Sequence, residues 1–138
     1  MLKKTAKAMV EEAMAQVTTY TVDQARALHG HPGVQFVDIR DVHELEHEGS
    51  IPGALHTPRG MLEFAFDPDS PYHERELAHD KEYVLFCGVG WRSALATKAL
   101  MDMGLERVAH IEGGYSAWKQ AGAPTASAPP PASSDAKR

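Results

Sequence analysis

The sequence predicts an α/β domain whose mainly parallel sheet is flanked by helices on both faces. Three short runs, "VQFVDI" at 34–39, "EYVLF" at 82–86 and "RVAHI" at 107–111, are rich in apolar and β-branched residues. Stretches with helical spacing of apolar residues separate them. Strands that are apolar on both faces are typical of parallel sheets covered by helices.

The first segment, residues 1–17, has apolar residues at helical spacing and predicts an amphipathic helix. Lys3, Lys4 and Lys7 place positive charge at its start, which opposes the helix macrodipole, so the first turn should fray. We expect this helix to pack on the domain or on a partner subunit, and the second case would give a homodimer. A helix lying on a membrane surface is the alternative.

A short extended piece near 18–20 leads into the next helix. Thr21 and Gln24 have the spacing of a capping box, which predicts a helix start. Gly30 and the following Pro-Gly pair should end this helix before the strand at 34–39.

The middle of the chain combines short elements with turns. Asp41 is expected to cap a helix that reaches about Glu48. The segment 49–58 reads as a turn followed by an edge-like extended stretch, and 61–66 as one or two helical turns. The polar segment 71–80 fits a loop or a weak helix.

The last third repeats the strand and helix alternation. The run at 82–86 precedes a helix for which Gly104 is well placed as the terminating residue. The run at 107–111 is followed by a glycine pair and a final helix that ends near Gly122. The predicted organisation is an N-terminal helix (1–17), a single domain (18–124) and a disordered tail rich in Pro, Ser and Ala (125–138).

Composition excludes several classes of protein. The net charge of −5 argues against nucleic acid as a partner, because phosphate binding depends on excess Lys and Arg. A single cysteine excludes an internal disulfide and a cysteine-rich zinc site. No apolar run approaches a membrane span, and Glu11 and Glu12 interrupt any secretory signal. We therefore expect a cytoplasmic protein without a membrane partner.

The cysteine, Cys87, lies where a strand ends and a helix begins, the edge at which α/β sheets place their sites. Free amides and the dipole at a helix start stabilise a thiolate, and Arg92 adds a nearby charge. The glycines allow the loop to curl into a nest for an anion. The loop residues expected to bind substrate are Gly88, Val89, Gly90, Trp91, Arg92 and Ser93. The alternative is a buried, inert cysteine at a strand end.

Two other groups of polar residues stand out in the sequence. Asp38 and Arg40 follow the first strand, and we interpret them as a structural ion pair that supports the site, with direct substrate contact as the alternative. His43 and His47 have spacing that zinc sites use, but solvated or hydrogen-bonded histidines explain them better. No metal is expected.

Three segments in order resemble rhodanese-like sulfurtransferases. "CGVGWRS" is similar to the family's loop Cys-Arg-Ser-Gly-Asn-Arg-Ser, with matches at Cys87, Gly90, Arg92 and Ser93. "VDIRD…GSIPGALHTP" and "IEGGYSAWKQAGAP" resemble the family's upstream and downstream segments. The resemblance covers about residues 18–124.

This resemblance implies a five-stranded parallel sheet and a sulfur-transfer reaction. The Cys87 thiolate would take a sulfane sulfur from thiosulfate, mercaptopyruvate or a persulfide and hold it as a cysteine persulfide. A thiol, cyanide or a sulfur-relay protein would then accept it, with ping-pong kinetics and no cofactor.

Three positions depart from the family's pattern or stand out in it. Gly88 replaces the Arg of many thiosulfate users, and glycine also occurs there in the mercaptopyruvate-using branch, so the donor stays open. Ser50 replaces the usual His. Trp91 is large for its place and would shield the pocket or contact a partner.

Two other functions remain open. In Cys-x5-Arg phosphatases, and in arsenate reductases on a similar fold, the loop also cradles an oxyanion. A phosphatase of this type needs Arg six positions after Cys, whereas Arg92 is five positions after Cys87. A non-catalytic, regulatory rhodanese-like module is the other alternative.

Overall fold

Five parallel strands form one sheet in the order β1-β5-β4-β2-β3 in the computed structural model, which describes residues 1–127. The strands are β1 (Thr18–Tyr20), β2 (Val34–Asp38), β3 (Leu55–His56), β4 (Glu82–Phe86) and β5 (Val108–Ile111). The predicted parallel α/β architecture is confirmed, and so is the number of strands that the resemblance implied. The strand β4 lies at the centre of the sheet. Cys87, which follows β4, therefore lies in the middle of the side of the sheet formed by the carboxyl ends of the strands.

Within residues 1–127, six helices and one 3₁₀ turn precede, connect or follow the strands. They are α1 (Ala6–Met14), α2 (Val22–Leu28), α3 (Val42–Glu48), the 3₁₀ turn Arg59–Met61, α4 (Leu62–Phe66), α5 (Trp91–Asp102) and α6 (Gly114–Gln120). The predicted capping box at Thr21 is present, and Asp41 caps α3 as expected. Gly104, in the left-handed region at φ +102°, follows the end of α5.

Each face of the sheet has its own apolar core, which explains why the strands read as apolar throughout. Leu85 of β4 packs in a core covered by α4 and α5. Its neighbour Val84 points to the other face, where the core includes Trp118 of α6. Burial on both faces requires the continuous apolar run that the sequence shows at 83–86.

The N-terminal helix packs on its own domain. Val10 and Ala13 of α1 contact Ala94 and the half-buried Leu95 of α5. The helix begins at Ala6, after an N-cap at Thr5, later than the predicted start. Packing on the domain is thus confirmed, and a homodimer through this helix stays a prediction.

The stretch 71–80 is a loop with turns, which was one of the two predicted structures, and it buries Leu77 completely. The C-terminal segment differs from expectation. The ordered chain passes the predicted boundary at residue 124, because Ala126 forms an antiparallel bridge with Ser50. The rest of the predicted tail, 128–138, lies outside the described residues. Within residues 1–127, no helix has the length and apolar character needed to cross a membrane.

Candidate active site

The thiol of Cys87 lies directly after β4, as predicted, and is 1% exposed. Its Sγ accepts hydrogen bonds from the backbone amides of Gly90, at 3.2 Å, and Ser93, at 3.3 Å. Gly90 is the N-cap of α5 and has φ +106°, a conformation that favours glycine. The loop therefore curls so that amides at the start of α5 converge on the sulfur. Such amides stabilise a thiolate.

Two further amides at this helix start remain for a substrate. Trp91 and Arg92 are the first residues of α5, and the first amides of a helix have no intrahelical acceptor. They lie in sequence between the two donors to the sulfur. A ligand with a negatively charged group would find hydrogen-bond donors there.

The opposite side of the loop is fixed by α6. The amide of Tyr115 donates to the carbonyl of Cys87 at 2.7 Å, and that of Ser116 donates to the carbonyl of Gly88 at 3.0 Å. Gly114 permits this approach, because a Cβ there would lie 2.5 Å from the Cys87 oxygen. The loop is therefore held between two helix starts.

Arg92 is paired with a carboxylate that sequence reasoning did not identify. Its Nη1 and Nη2 donate to Oε1 and Oε2 of Glu44 at 2.8 and 2.9 Å. The hydrogen bond to Glu44 is the main cause that raises the pKa of Arg92, and the charge of Cys87 contributes less. The same hydrogen bond lowers the pKa of Glu44 below its usual range. The positive charge predicted beside the thiolate is thus largely compensated.

The surface of the loop is apolar apart from this pair. Val89 and Trp91 are 66% and 51% exposed. Gly88 carries no side chain, and a Cβ there would lie 3.2 Å from Arg92 Nη2 and 3.7 Å from Glu44 Oε2. Any side chain at position 88 would contact the ion pair directly.

Asp38 and Arg40 form the predicted ion pair, fully buried beside the base of the loop. Arg40 Nε and Nη2 donate to the two carboxylate oxygens of Asp38 at 3.0 and 2.8 Å, and Nη2 also donates to the Gly49 carbonyl at 2.7 Å. Ser50, which stands where the family usually has His, donates its hydroxyl to Asp38 at 2.7 Å. The carboxylate is therefore satisfied without a histidine.

A second group missed by the sequence analysis lies behind the thiol. His110 of β5 is 1% exposed, and its Nδ1 is 2.8 Å from Ser93 Oγ. Ser93 Oγ lies 3.5 Å from the sulfur. Only the fold joins these residues, because His110 is on a strand and Ser93 on the preceding helix.

Metal binding finds no support in the described part of the chain. Within residues 1–127, no three His, Cys, Asp or Glu side chains are arranged to hold an ion. His43 and His47, whose spacing suggested zinc, are exposed on α3.

Comparison with known proteins gives consistent results. A solved structure from Rhodopseudomonas palustris, described as a protein of unknown function and possible tyrosine phosphatase, is 48% identical with a TM-score of 0.88; the match covers 91% of this chain and 97% of that one. A sulfurtransferase of Allochromatium vinosum is 35% identical over 66% of this chain and 77% of its own length. Thiosulfate sulfurtransferase 16 of Arabidopsis thaliana, a chloroplastic protein, is 32% identical over 85% of this chain and 98% of its own length.

The family pattern itself covers most of the described chain. The sequence model of the rhodanese-like domain matches residues 21–121, which include both the buried ion pair and the cysteine loop. The chain therefore belongs to the family of rhodanese-like domains.

Proposed function

We propose that this protein is a sulfurtransferase that carries a sulfane sulfur on Cys87. The observation that supports this most directly is the pair of amides, from Gly90 and Ser93, that donate to the sulfur at the start of α5. These donors stabilise the thiolate that must attack the sulfur donor. Sulfurtransferases among the relatives support the same reaction class.

The reaction consists of two displacements at sulfur. The Cys87 thiolate attacks the transferable sulfur of the donor, a new S–S bond forms, and the bond from that sulfur to the rest of the donor breaks. The electron pair leaves with sulfite when the donor is thiosulfate and with a thiolate when it is a persulfide. With mercaptopyruvate the C–S bond breaks, and the pair leaves with the enolate of pyruvate, which is then protonated. An acceptor thiolate or cyanide then attacks the persulfide's outer sulfur, and the electron pair returns to Cys87.

The acceptor must come from outside the chain. Cys87 is the single cysteine of the sequence, so no second thiol in the same chain can resolve a persulfide. A small thiol, cyanide or a sulfur-relay protein fits this requirement. The exposed Val89 and Trp91 around the loop suit an approaching protein better than a lone small ion.

The net charge of the loop affects which sulfur donor it can bind. Glu44 compensates Arg92, and Gly88 adds no cation. A dianion such as thiosulfate therefore finds little net positive charge here. We infer that a persulfide or mercaptopyruvate, with less charge, is the better donor.

A phosphatase is the second candidate, because a similar protein is described as a possible tyrosine phosphatase. Two features disfavour it. Arg92 is five rather than six positions after Cys87. Its guanidinium is also engaged by Glu44, whereas a phosphatase needs it to bind the phosphate oxygens.

The decisive experiment is mass spectrometry of the full-length protein after treatment with thiosulfate, mercaptopyruvate or a small-molecule persulfide. We expect an adduct of about 32 Da, one sulfur atom, that is removed by dithiothreitol or cyanide. Cys87→Ser should show none. The cyanide reaction should release thiocyanate.

Three outcomes separate the alternatives. A wild-type protein that takes no sulfur from any donor contradicts the proposal. An adduct of this mass that neither dithiothreitol nor cyanide removes would be a sulfinic acid, which also adds about 32 Da, and would count as no sulfur uptake; a folded protein without uptake would indicate a binding module. Hydrolysis of an aryl phosphate that depends on Cys87 would establish the phosphatase instead.

A further inference from the structure

A chain of buried hydrogen-bonding side chains runs from the thiol to strand β1. Cys87 Sγ is 3.5 Å from Ser93 Oγ, which is 2.8 Å from His110 Nδ1. On the other side of the ring, His110 Nε2 is 3.0 Å from Thr19 Oγ1. The first three residues are at most 1% exposed, while Thr19 is half-buried. This series of hydrogen bonds thus connects a buried thiol with a residue that is partly exposed, and the Thr19 hydroxyl also lies 3.8 Å from Met14 Sδ.

The ring of His110 is neutral near pH 7. Burial lowers its pKa to about 4. The groups that face it, Thr19 from β1 and Ser93 from α5, are uncharged. Arg92, the charged side chain that acts on Cys87, is held by Glu44 and partly exposed. A neutral imidazole has one N–H donor and one acceptor nitrogen. When the nitrogen that faces Ser93 accepts a hydrogen bond, the nitrogen that faces Thr19 must donate one, and the reverse also holds.

The hydrogen bonds that link Cys87, Ser93, His110 and Thr19 can run in two directions, one suited to each protonation state of the thiol. When Cys87 is protonated, S–H donates to Ser93, the Ser93 hydroxyl can donate to Nδ1, and Nε2–H donates to Thr19. A thiolate can only accept. The Ser93 hydroxyl must then point at sulfur, Nδ1–H must donate to Ser93, and Nε2 must accept from the hydroxyl of Thr19.

We propose that His110 is a positioning residue whose tautomer follows the state of Cys87 and directs the Ser93 hydroxyl to the thiolate as a third donor. The inference rests on the proposed role of Cys87 as the nucleophile. Without the imidazole, the Ser93 hydroxyl keeps a competing acceptor, the Gly90 carbonyl at 3.3 Å. His110 therefore acts through Ser93 and touches no reacting atom.

The reversal also gives the thiol proton a route out. The proton of Cys87 passes to Ser93, the former hydroxyl proton of Ser93 passes to Nδ1, and the proton on Nε2 passes to Thr19. Thr19 releases its own proton to water. One S–H bond is broken, and the products are a thiolate and a hydrated proton, with His110 neutral before and after.

The first test reads the tautomer by ¹⁵N NMR of His110 in the full-length protein across the pH range in which Cys87 ionises. We expect Nε2–H below the transition and Nδ1–H above it. In Cys87→Ser, which cannot form a thiolate, one tautomer should persist across the same range. A wild-type ring that keeps one tautomer throughout overturns the proposal.

The second test follows alkylation of Cys87 by iodoacetamide against pH. His110→Gln can still reach Thr19 but not Ser93, so its midpoint should rise by about one pH unit. His110→Asn places an amide near the Nδ1 position and should retain a midpoint close to wild type. Thr97→Val is the matched control, because this buried hydroxyl binds only the Ser93 carbonyl.

A double variant then isolates the route through Ser93. Ser93→Ala should raise the midpoint as His110→Gln does, and the two together should give no further shift. An unchanged midpoint in His110→Gln, or a full additional shift in the Ser93→Ala background, overturns the proposal. Should these variants fail to fold, the tautomer measurement on the unaltered chain decides. Both tests are independent of sulfur transfer, so failure of the proposed function would be recognised separately.

Discussion

The guanidinium of Arg92 and the carboxylate of Glu44 form a two-point ion pair at the mouth of the cysteine loop, although 48 residues separate them in sequence. Arg92 is 44% and Glu44 28% exposed, so solvent weakens but does not remove their attraction. The pair places a carboxylate where a substrate anion would otherwise meet an unopposed arginine. In the proposed reaction, the pair should therefore disfavour highly charged sulfur donors.

Replacing Glu44 by Gln should improve the use of anionic donors. Arg92 would be freed, and the KM for thiosulfate should fall about threefold to tenfold, with a smaller change in kcat. Steady-state kinetics measured at low salt would show the effect most clearly. Glu46→Gln, on the exposed face of the same helix, is the control and should leave KM unchanged. Equal effects of the two variants would contradict a specific role of the pair.

A cation at position 88 should act in the same direction. Gly88→Arg would place a second guanidinium beside Glu44, and the required shift falls on the flexible end of Arg92. We expect a several-fold higher kcat/KM for thiosulfate, with little change for mercaptopyruvate. Gly88→Ala adds the Cβ without the charge and should not reproduce the gain. If Gly88→Ala has the same effect, the size of the side chain at position 88, rather than its charge, determines which donor is used.

The buried ion pair is expected to govern stability rather than chemistry. Arg40→Ala leaves the Asp38 carboxylate buried with the Ser50 hydroxyl and the Arg40 backbone amide as its remaining donors. The free energy of unfolding should fall by about 3–5 kcal/mol, as measured by urea denaturation. The folded fraction should still take up sulfur. Arg59→Ala, which breaks the partly exposed pair with Glu63, should cost about 1 kcal/mol or less.

The sequence predicted the sheet and the loop but not the partners of the loop. Local patterns sufficed for the capping box at Thr21 and for the helix end at Gly104, because both depend on neighbouring residues. Nothing in the sequence next to Glu44 or His110 marks either residue as part of the site. Their roles arise only when β2, β4 and β5 are placed side by side. The pairing of Ala126 with Ser50 was not predicted, because it joins residues that are distant in sequence. The prediction of a disordered segment 125–138 depended on composition alone.

Buried His110 should also make the fold sensitive to acid. Its pKa is about 4 in the folded protein against 6.5 in a model peptide. Between these values the unfolded chain binds the extra proton, so stability is lost as pH falls from about 6.5 to about 4. This one group would contribute at most about 3 kcal/mol.

Urea unfolding at several pH values would measure how steeply the free energy of unfolding depends on pH, and this dependence is the slope compared below. His110→Gln should flatten it, because the variant has no imidazole to protonate. His47→Gln, an exposed histidine on α3, should leave the slope unchanged. An identical slope in wild type and His110→Gln would assign the acid sensitivity to carboxylates instead.

Two helices begin at the cysteine loop, one donating to its sulfur and the other to its carbonyl groups. Because the amides of Tyr115 and Ser116 bind the loop carbonyls, the loop cannot swing outward without losing these two hydrogen bonds. We therefore expect the loop to keep its shape during the proposed reaction. The site then discriminates by the shape that it already has, so its rate should depend on how readily donor and acceptor reach a stationary sulfur atom rather than on a lid.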